Sequence, residues 1–452
     1  MIGLDAFQGV DIGGITTPIT KANFTITDIR ELPSTTDLAF KIACSQRPGP
    51  VLIEIPSDVQ KEEIELSKIS FSNNNIVIKD TSYKLHIETI TIFKQYLQES
   101  KKLLIICVGR VNIAGCMELL NIFCPKNRRP VVHTIRGIGV NPYDEDLYYA
   151  LIGMHGIIYG NYAAQQVDLI IALGVRFSDR TICNKNEFAK NAKIIHINID
   201  PSEVNKNIKI DFPVICDLKI FLSIFSNIDL FKPSTEEWFD ELKSIKASNP
   251  SSYQMSNGIK LQYLIEIANK YFGDDAIVVS DVGQNQIWAA QYYRIRKQRS
   301  FICSADLGTM GYSLPAAIGA KIGCPNRDAL VITGDGGFQM NIQELITIKR
   351  YNLDIKILNL DNQSLGMVRQ WQELFYSKRY VATIMDDNPS FYKIAQAIGI
   401  DSIYLDDIDK TEEAIRKLRE SSNCMLLYAK IKKYENVLPI VPPKQSLERA
   451  IK

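Results

Sequence analysis

The sequence predicts an α/β protein built on doubly wound parallel sheets, with two complete α/β domains and the end of a third. Three observations carry that reading. Short β-branched runs alternate with longer amphipathic stretches through most of the 452 residues, as parallel strands covered by helices require. A chain of that length exceeds one core, and roughly 150 residues per domain suggests about three. Glycines and an acid follow an apolar run directly at Gly334-Asp335-Gly336-Gly337, where a parallel strand turns toward a helix.

The first strand-like run is Pro50 to Ile55, closed by Pro56-Ser57-Asp58. A polar stretch, Ser67 to Asp80 with Asn73-Asn74-Asn75, then reads as a linker. A second series runs Leu103 to Val108, Pro130 to Ile135, Asp168 to Val175, Lys193 to Ile199 and Pro213 to Cys216. Breakers at Phe231-Lys232-Pro233-Ser234 and from Ala247 to Ser252 mark another linker. The third series is Ala276 to Ser280, Ala329 to Thr333, Ile355 to Leu360 and Met425 to Ile431, with a helix expected from Asn341 to Arg350. The resulting division is a domain end at 1–66, a linker at 67–84, a domain at 85–230, a linker at 231–257, a domain at 258–435 and a tail at 436–452.

Composition narrows the function. Hydrophobic residues make up 46% and charged residues 23%, which is ordinary globular usage. Lysine and arginine number 52 against 51 acids, so no excess charge draws the chain to nucleic acid or an anionic membrane. Small molecules and other proteins are the expected partners. The nine scattered cysteines contain no CxxC pair and read as reduced thiols, and no apolar run nears the 18 or so residues that span a bilayer. Met1-Ile2-Gly3-Leu4 leads straight into what reads as a domain interior, without a signal peptide. A late start to the chain is the expectation, and the cytoplasm, or a plastid, its compartment.

Chemistry enters at the strand ends. Asp335 closes one run, and Asn362, 27 residues later, closes the next. A Mg²⁺ ion takes oxygen ligands in an octahedron that phosphates commonly complete. Asp335, Asn362 and a backbone carbonyl near Ser364 would supply the protein's share. That spacing is the thiamine diphosphate motif. The stretch Gly334 to Tyr380 resembles the catalytic subunits of the acetolactate (acetohydroxyacid) synthase family, and the resemblance extends over essentially the whole chain.

The resemblance implies a thiamine diphosphate-binding fold, with the end of a pyrimidine-binding domain first, an FAD-binding domain in the middle and the diphosphate domain last. It implies that Gly308 and Met310 hold the aminopyrimidine ring, Met310 wedging beneath it, and that Gln284 and Asn285, with Gly334, Asp335, Gly336, Gly337 and Asn362, hold the diphosphate and metal. Asn285 stands where the family usually has histidine. Met367 and Trp371 would line the substrate pocket, and Arg180 would hold the second ketoacid's carboxylate, a task for a planar, permanently charged fork. FAD would meet Arg47, Gly109, Thr134, Ile135, Gly153, Met154, His155, Gly174, Arg176, Asp179, Asp200 and Asp217. Gln8 would reach a neighbouring subunit's site.

The implied reaction decarboxylates pyruvate on thiamine diphosphate and joins the two-carbon unit to pyruvate or 2-ketobutyrate, opening branched-chain amino-acid synthesis. A homodimer or tetramer with sites between subunits follows, with a regulatory small subunit as a further partner. The family's glutamate that protonates the aminopyrimidine has no counterpart here, so the chain alone is expected to show negligible turnover. Another carboligase of the superfamily, such as a glyoxylate carboligase, and an inactive cofactor-binding paralogue remain as alternatives. Asp361, Ala305-Asp306 and Ser178 depart from the family's usual residues.

Overall fold

The computed structural model describes residues 9–69, 85–140, 145–226, 235–255 and 258–452. They divide into two compact units, the first taking residues up to Lys84 with Ile199–Ser202, the second Leu85–Asn198 with Glu203–Lys452. In the first unit β1 (Asn23–Thr25) and β2 (Leu52–Glu54) pair in parallel, joined through the helix Leu32–Cys44. That helix opens at a proline near its first turn, where a missing N–H costs nothing.

The second unit holds two six-stranded parallel sheets. The central one comprises β3 (Leu103–Cys107), β4 (Val131–His133), β5 (Tyr148–Leu151), β6 (Leu169–Leu173), β7 (Lys193–Asn198) and β8 (Phe212–Ile215), in the order β5-β4-β3-β6-β7-β8. Strands β3 and β6 read Leu-Leu-Ile-Ile-Cys and Leu-Ile-Ile-Ala-Leu, and every residue of both is buried. Continuous burial is what helices on both faces impose on a parallel strand. The order reverses between β3 and β6, placing the crevice of a dinucleotide-type fold at their carboxyl ends.

The other sheet comprises β9 (Ile277–Ser280), β10 (Phe301–Cys303), β11 (Ala329–Gly334), β12 (Lys356–Asp361), β13 (Asp401–Leu405) and β14 (Met425–Lys430), in the order β10-β9-β11-β12-β14-β13. Its switch point falls between β9 and β11. Two segments expected to be connective instead carry core. Within 231–257 runs the helix Glu236–Ser248, whose Trp238, Phe239 and Leu242 are buried, with Trp238 Nε1 donating to Leu103 O at 3.2 Å. In the tail, Val441 and Leu447 join the central sheet's core, and Val441 N donates to Met154 O at 2.8 Å. Prolines and serines flank the helix Glu236–Ser248 in the sequence and mask the narrow apolar face inside it.

Among the described residues no helix is long and apolar enough to cross a membrane.

Candidate active site

The carboxyl ends of β9, β11 and β12 carry the diphosphate-site candidates. After β9 the chain passes Asp281 and Gly283, whose φ of +136° suits glycine, into the helix Gln284–Tyr292. After β11 the helix begins at Asp335 itself, running to Met340, with a second from Glu344 to Arg350. The expected start at Asn341 was late because Gly336 and Gly337 are poor helix formers in isolation. Here they sit in the first turn, where close packing demands them. A Cβ on Gly336 would stand 2.7 Å from Leu365 Cδ2 and 3.3 Å from Met310 Cε, and one on Gly337 would stand 2.3 Å from Asp281 Oδ1.

Asp335 and Asp361 are both 2% exposed. Burial, and then the hydrogen bond and charge of Asp361, push the Asp335 carboxyl up to about 8. Asn388 Nδ2 donates to Asp335 Oδ2 at 2.9 Å, and the Tyr428 hydroxyl donates to Asp361. A divalent cation beside Asp335 would restore its ionised form. Asn362 Oδ1 accepts from Ser364 N at 3.1 Å around Gln363, whose φ is +52°. The Ser364 hydroxyl is buried without a partner, an atom placed for something that enters the site. Among the described residues no three His, Cys, Asp or Glu side chains group to hold a metal. One carboxylate with amide and backbone carbonyl oxygens suits a hard ion that draws further ligands from phosphates.

Gln284 and Asn285 are both buried but face different ways. Asn362 Nδ2 donates to Gln284 Oε1 at 3.2 Å, while Gln284 Nε2 donates to Gln370 Oε1 at 2.9 Å and Glu435 O at 2.8 Å. Asn285 turns its amide inward, donating to Asp281 O at 3.0 Å and Ile332 O at 3.1 Å. It braces β9 against β11, and its expected reach toward a diphosphate is not seen in its donors.

Met310 lies half-buried in the loop after β10, between Gly308 and Gly311, whose φ values are +62° and +81°. The loop is tied at both ends. Asp306 is forked by Arg176 Nη2 at 2.6 Å and Arg136 Nη1 at 3.1 Å. Asp281, which the sequence reading passed over, accepts from Gly311 N and Ser313 N, both at 3.0 Å. Its signal was an acid directly at the end of a continuous apolar strand, where parallel sheets place ligands.

Trp371 and Met367 stand on the helix Gly366–Phe375. The Arg180 guanidinium lies over the Trp371 ring at 5.6 Å, and Arg180 Nη1 reaches Met154 Sδ at 2.8 Å. Arg180 comes from the short helix Asp179–Ile182 after β6, so the pair joins candidates more than 190 residues apart in sequence. Met367 also packs against the neighbouring core.

The FAD candidates cluster by strand. Gly109 follows β3, Thr134 and Ile135 follow β4, Gly153, Met154 and His155 follow β5, and Gly174, Arg176 and Asp179 follow β6, all at the sheet's carboxyl edge. Gly174 has φ +70°, and a Cβ there would meet the Arg110 side chain at 2.9 Å. His155 Nδ1 is buried without a partner, which fits a ligand at this edge. Burial, aided by Arg180, holds the His155 imidazole down at about 4. Asp217 spends its carboxylate capping the helix Leu218–Phe225 through Lys219 N at 2.8 Å. Arg47 and Asp200 belong to the first unit, where they pair at 3.0 Å. Gln8 lies outside the described residues.

Comparison with known proteins matches this geometry to a family. The thiamine pyrophosphate enzyme central domain matches residues 90–224, and the thiamine pyrophosphate enzyme C-terminal TPP binding domain matches residues 281–429. The chain is 39% identical to the acetolactate synthase large subunit of Lactococcus lactis subsp. lactis, over 98% of this chain and 76% of that one. It is 38% identical to the acetolactate synthase isozyme 2 large subunit of Escherichia coli, over 98% and 80%, and 38% identical to the probable acetolactate synthase large subunit of Methanocaldococcus jannaschii, over 98% and 76%. With the cofactor-type strand ends, the Met310 loop and the Trp371 helix all inside the matched length, the chain belongs to the acetolactate synthase large-subunit family.

Proposed function

We propose that this chain decarboxylates pyruvate and condenses the two-carbon unit with pyruvate or 2-ketobutyrate. One observation carries the reading: Asp335 and the Asn362–Ser364 turn meet at adjacent strand ends, beside a buried hydroxyl with no partner. Thiamine diphosphate, when bound, supplies the carbon nucleophile and holds the electrons left when carbon dioxide departs.

The chain's own residues do the rest. Asp335, Asn362 and the Ser364 carbonyl would hold Mg²⁺ and through it the diphosphate, with Gln284 fixing the Asn362 amide. Met310, resting over Gly336, would support the cofactor's ring. Arg180 would take the second ketoacid's carboxylate, and Trp371, stacked on that guanidinium, would form the wall against its alkyl end. FAD would lie along the central sheet's carboxyl edge as a structural group, since no hydride moves in this reaction, with Arg176 and His155 among its contacts. Assembly into a homodimer or tetramer, with a regulatory small subunit, belongs to the same proposal.

Product analysis tests it. The chain, by itself and joined to the part of the Lactococcus relative outside the matched length, is given pyruvate, thiamine diphosphate and Mg²⁺. Acetolactate from the joined protein is the expected result. Acetaldehyde as the sole product of the joined protein, or no consumption of pyruvate by it, would overturn the reading.

A further inference from the structure

We propose that Asp281 is a positioning residue that sets Met310 for the cofactor's ring, so that the diphosphate half and the ring half of the site are recognised through separable parts of this chain. The inference rests on the thiamine diphosphate reading above. Asp281 follows β9 directly and is fully buried. Its recorded partners are backbone amides: Oδ1 accepts from Val282 N at 2.8 Å and Gly311 N at 3.0 Å, and Oδ2 accepts from Ser313 N at 3.0 Å. A carboxylate so placed takes charge-assisted bonds from both sides of a bend. Gly311 immediately follows Met310, and Ser313 opens the helix Ser313–Gly323. The carboxylate therefore fixes the loop just downstream of Met310.

The same carboxylate touches the other half of the site. Gly337, two residues after Asp335, packs so closely that a Cβ there would fall 2.3 Å from Asp281 Oδ1, while Met310 Cε stands 3.3 Å from the Cβ position of Gly336. Asp281 thus registers the Met310 loop against the turn that presents Asp335. Asparagine in its place keeps the volume but offers one acceptor oxygen, and its amide would point a donor at a donor, either Ser313 N or Gly311 N. The loop would loosen while Asp335, Asn362 and Ser364 stayed where they are.

Calorimetry on the full chain with Mg²⁺ separates the halves, using inorganic pyrophosphate as one ligand and thiamine diphosphate as the other. Asp281→Asn should leave pyrophosphate affinity within about twofold and cut the preference for thiamine diphosphate over pyrophosphate by about tenfold, the effect of one charge-assisted bond. Met310→Ala should do the same, and the double variant should lose little more, because one residue acts through the other. Amide exchange gives a second measure: Gly311 and Ser313 should be protected in the unaltered chain and exposed in Asp281→Asn, with β9 and β11 still protected. Parallel losses for both ligands, additive losses in the double variant, or fast exchange at Gly311 and Ser313 in the unaltered chain would each overturn the proposal alone. An unaltered chain that binds pyrophosphate with no preference for thiamine diphosphate would remove the cofactor reading, and this proposal with it.

Discussion

At the residue scale, the site's chemistry depends on a few oxygens whose surroundings are incomplete without a ligand. Asp335 is the clearest, since its carboxyl is held up to about 8 by burial and by Asp361. Removing it leaves a diphosphate's charge uncompensated, so Asp335→Ala should abolish Mg²⁺-dependent binding of thiamine diphosphate, measured by calorimetry with and without the metal. Trp371 carries a different expectation. 2-Ketobutyrate exceeds pyruvate by one methylene, and an apolar wall discriminates such a difference by about 10- to 200-fold. Trp371→Leu should flatten the product ratio in competition between the two ketoacids while sparing decarboxylation. It also removes the ring beneath Arg180, so some rise in the second ketoacid's KM should accompany it. Unchanged product ratio with a lower total rate would make Trp371 a core residue. Asp335 and Asn362 were legible because side-chain type and spacing alone bring them to neighbouring strand ends. Asp281 was not, because an acid after a strand looks like any turn until its amide partners, about 30 residues away, are seen. Asn285 differs again: its motif position advertises a ligand contact, while its amide donors serve the backbone at Asp281 and Ile332.

At the scale of elements, the interior strands and one edge strand, β8, were legible, and the other margins were not. β3, β6, β9, β11, β12 and β14 each hold a run of buried apolar residues, and nearly all their residues are buried. β5, β10 and β13 escaped notice, and all three sit at sheet edges, where one side is free and burial is mixed. The helix Glu236–Ser248 escaped because eight of its thirteen residues are charged or serine. Its buried stripe is nonetheless a real part of the central core: Trp238 is 2% exposed and its Nε1 donates to β3. Trp238→Ala should cost about 3–5 kcal/mol, read as a shift in the urea midpoint without a change in slope. A cost below about 1 kcal/mol would return that segment to the role of a linker.

At the scale of the whole molecule, near-neutral net charge leaves pH stability to a few buried groups. Two histidines at the carboxyl edge of the central sheet are kept neutral by burial. His133 is held down at about 4, with Nδ1 against Thr134 O at 2.9 Å and Nε2 against the Tyr148 hydroxyl. His155 is held at about 4 by burial and by the charge of Arg180. Each is an ordinary imidazole near 6.5 once unfolded. Between pH 6.5 and 4 the unfolded chain therefore binds protons that the native chain refuses, and stability falls as pH falls through that window. Above pH 6.5 both states are neutral at these positions and the contribution is flat. The expected experiment is urea unfolding from pH 7.5 to 4.5: His133→Gln should flatten part of the slope, and His155→Gln another part, because the two rings share no partner. The same slope in both variants as in the unaltered chain would place the acid sensitivity elsewhere, most plainly in carboxylates whose pairing is lost at lower pH. A ligand at this edge would act in the same window from the native side. Any group that hydrogen-bonds His155 Nδ1 as an acceptor of its proton raises that ring's pKa, so saturating FAD, the ligand proposed for this edge, should shift the midpoint of the His155 component upward and narrow the window, an effect absent from His155→Gln.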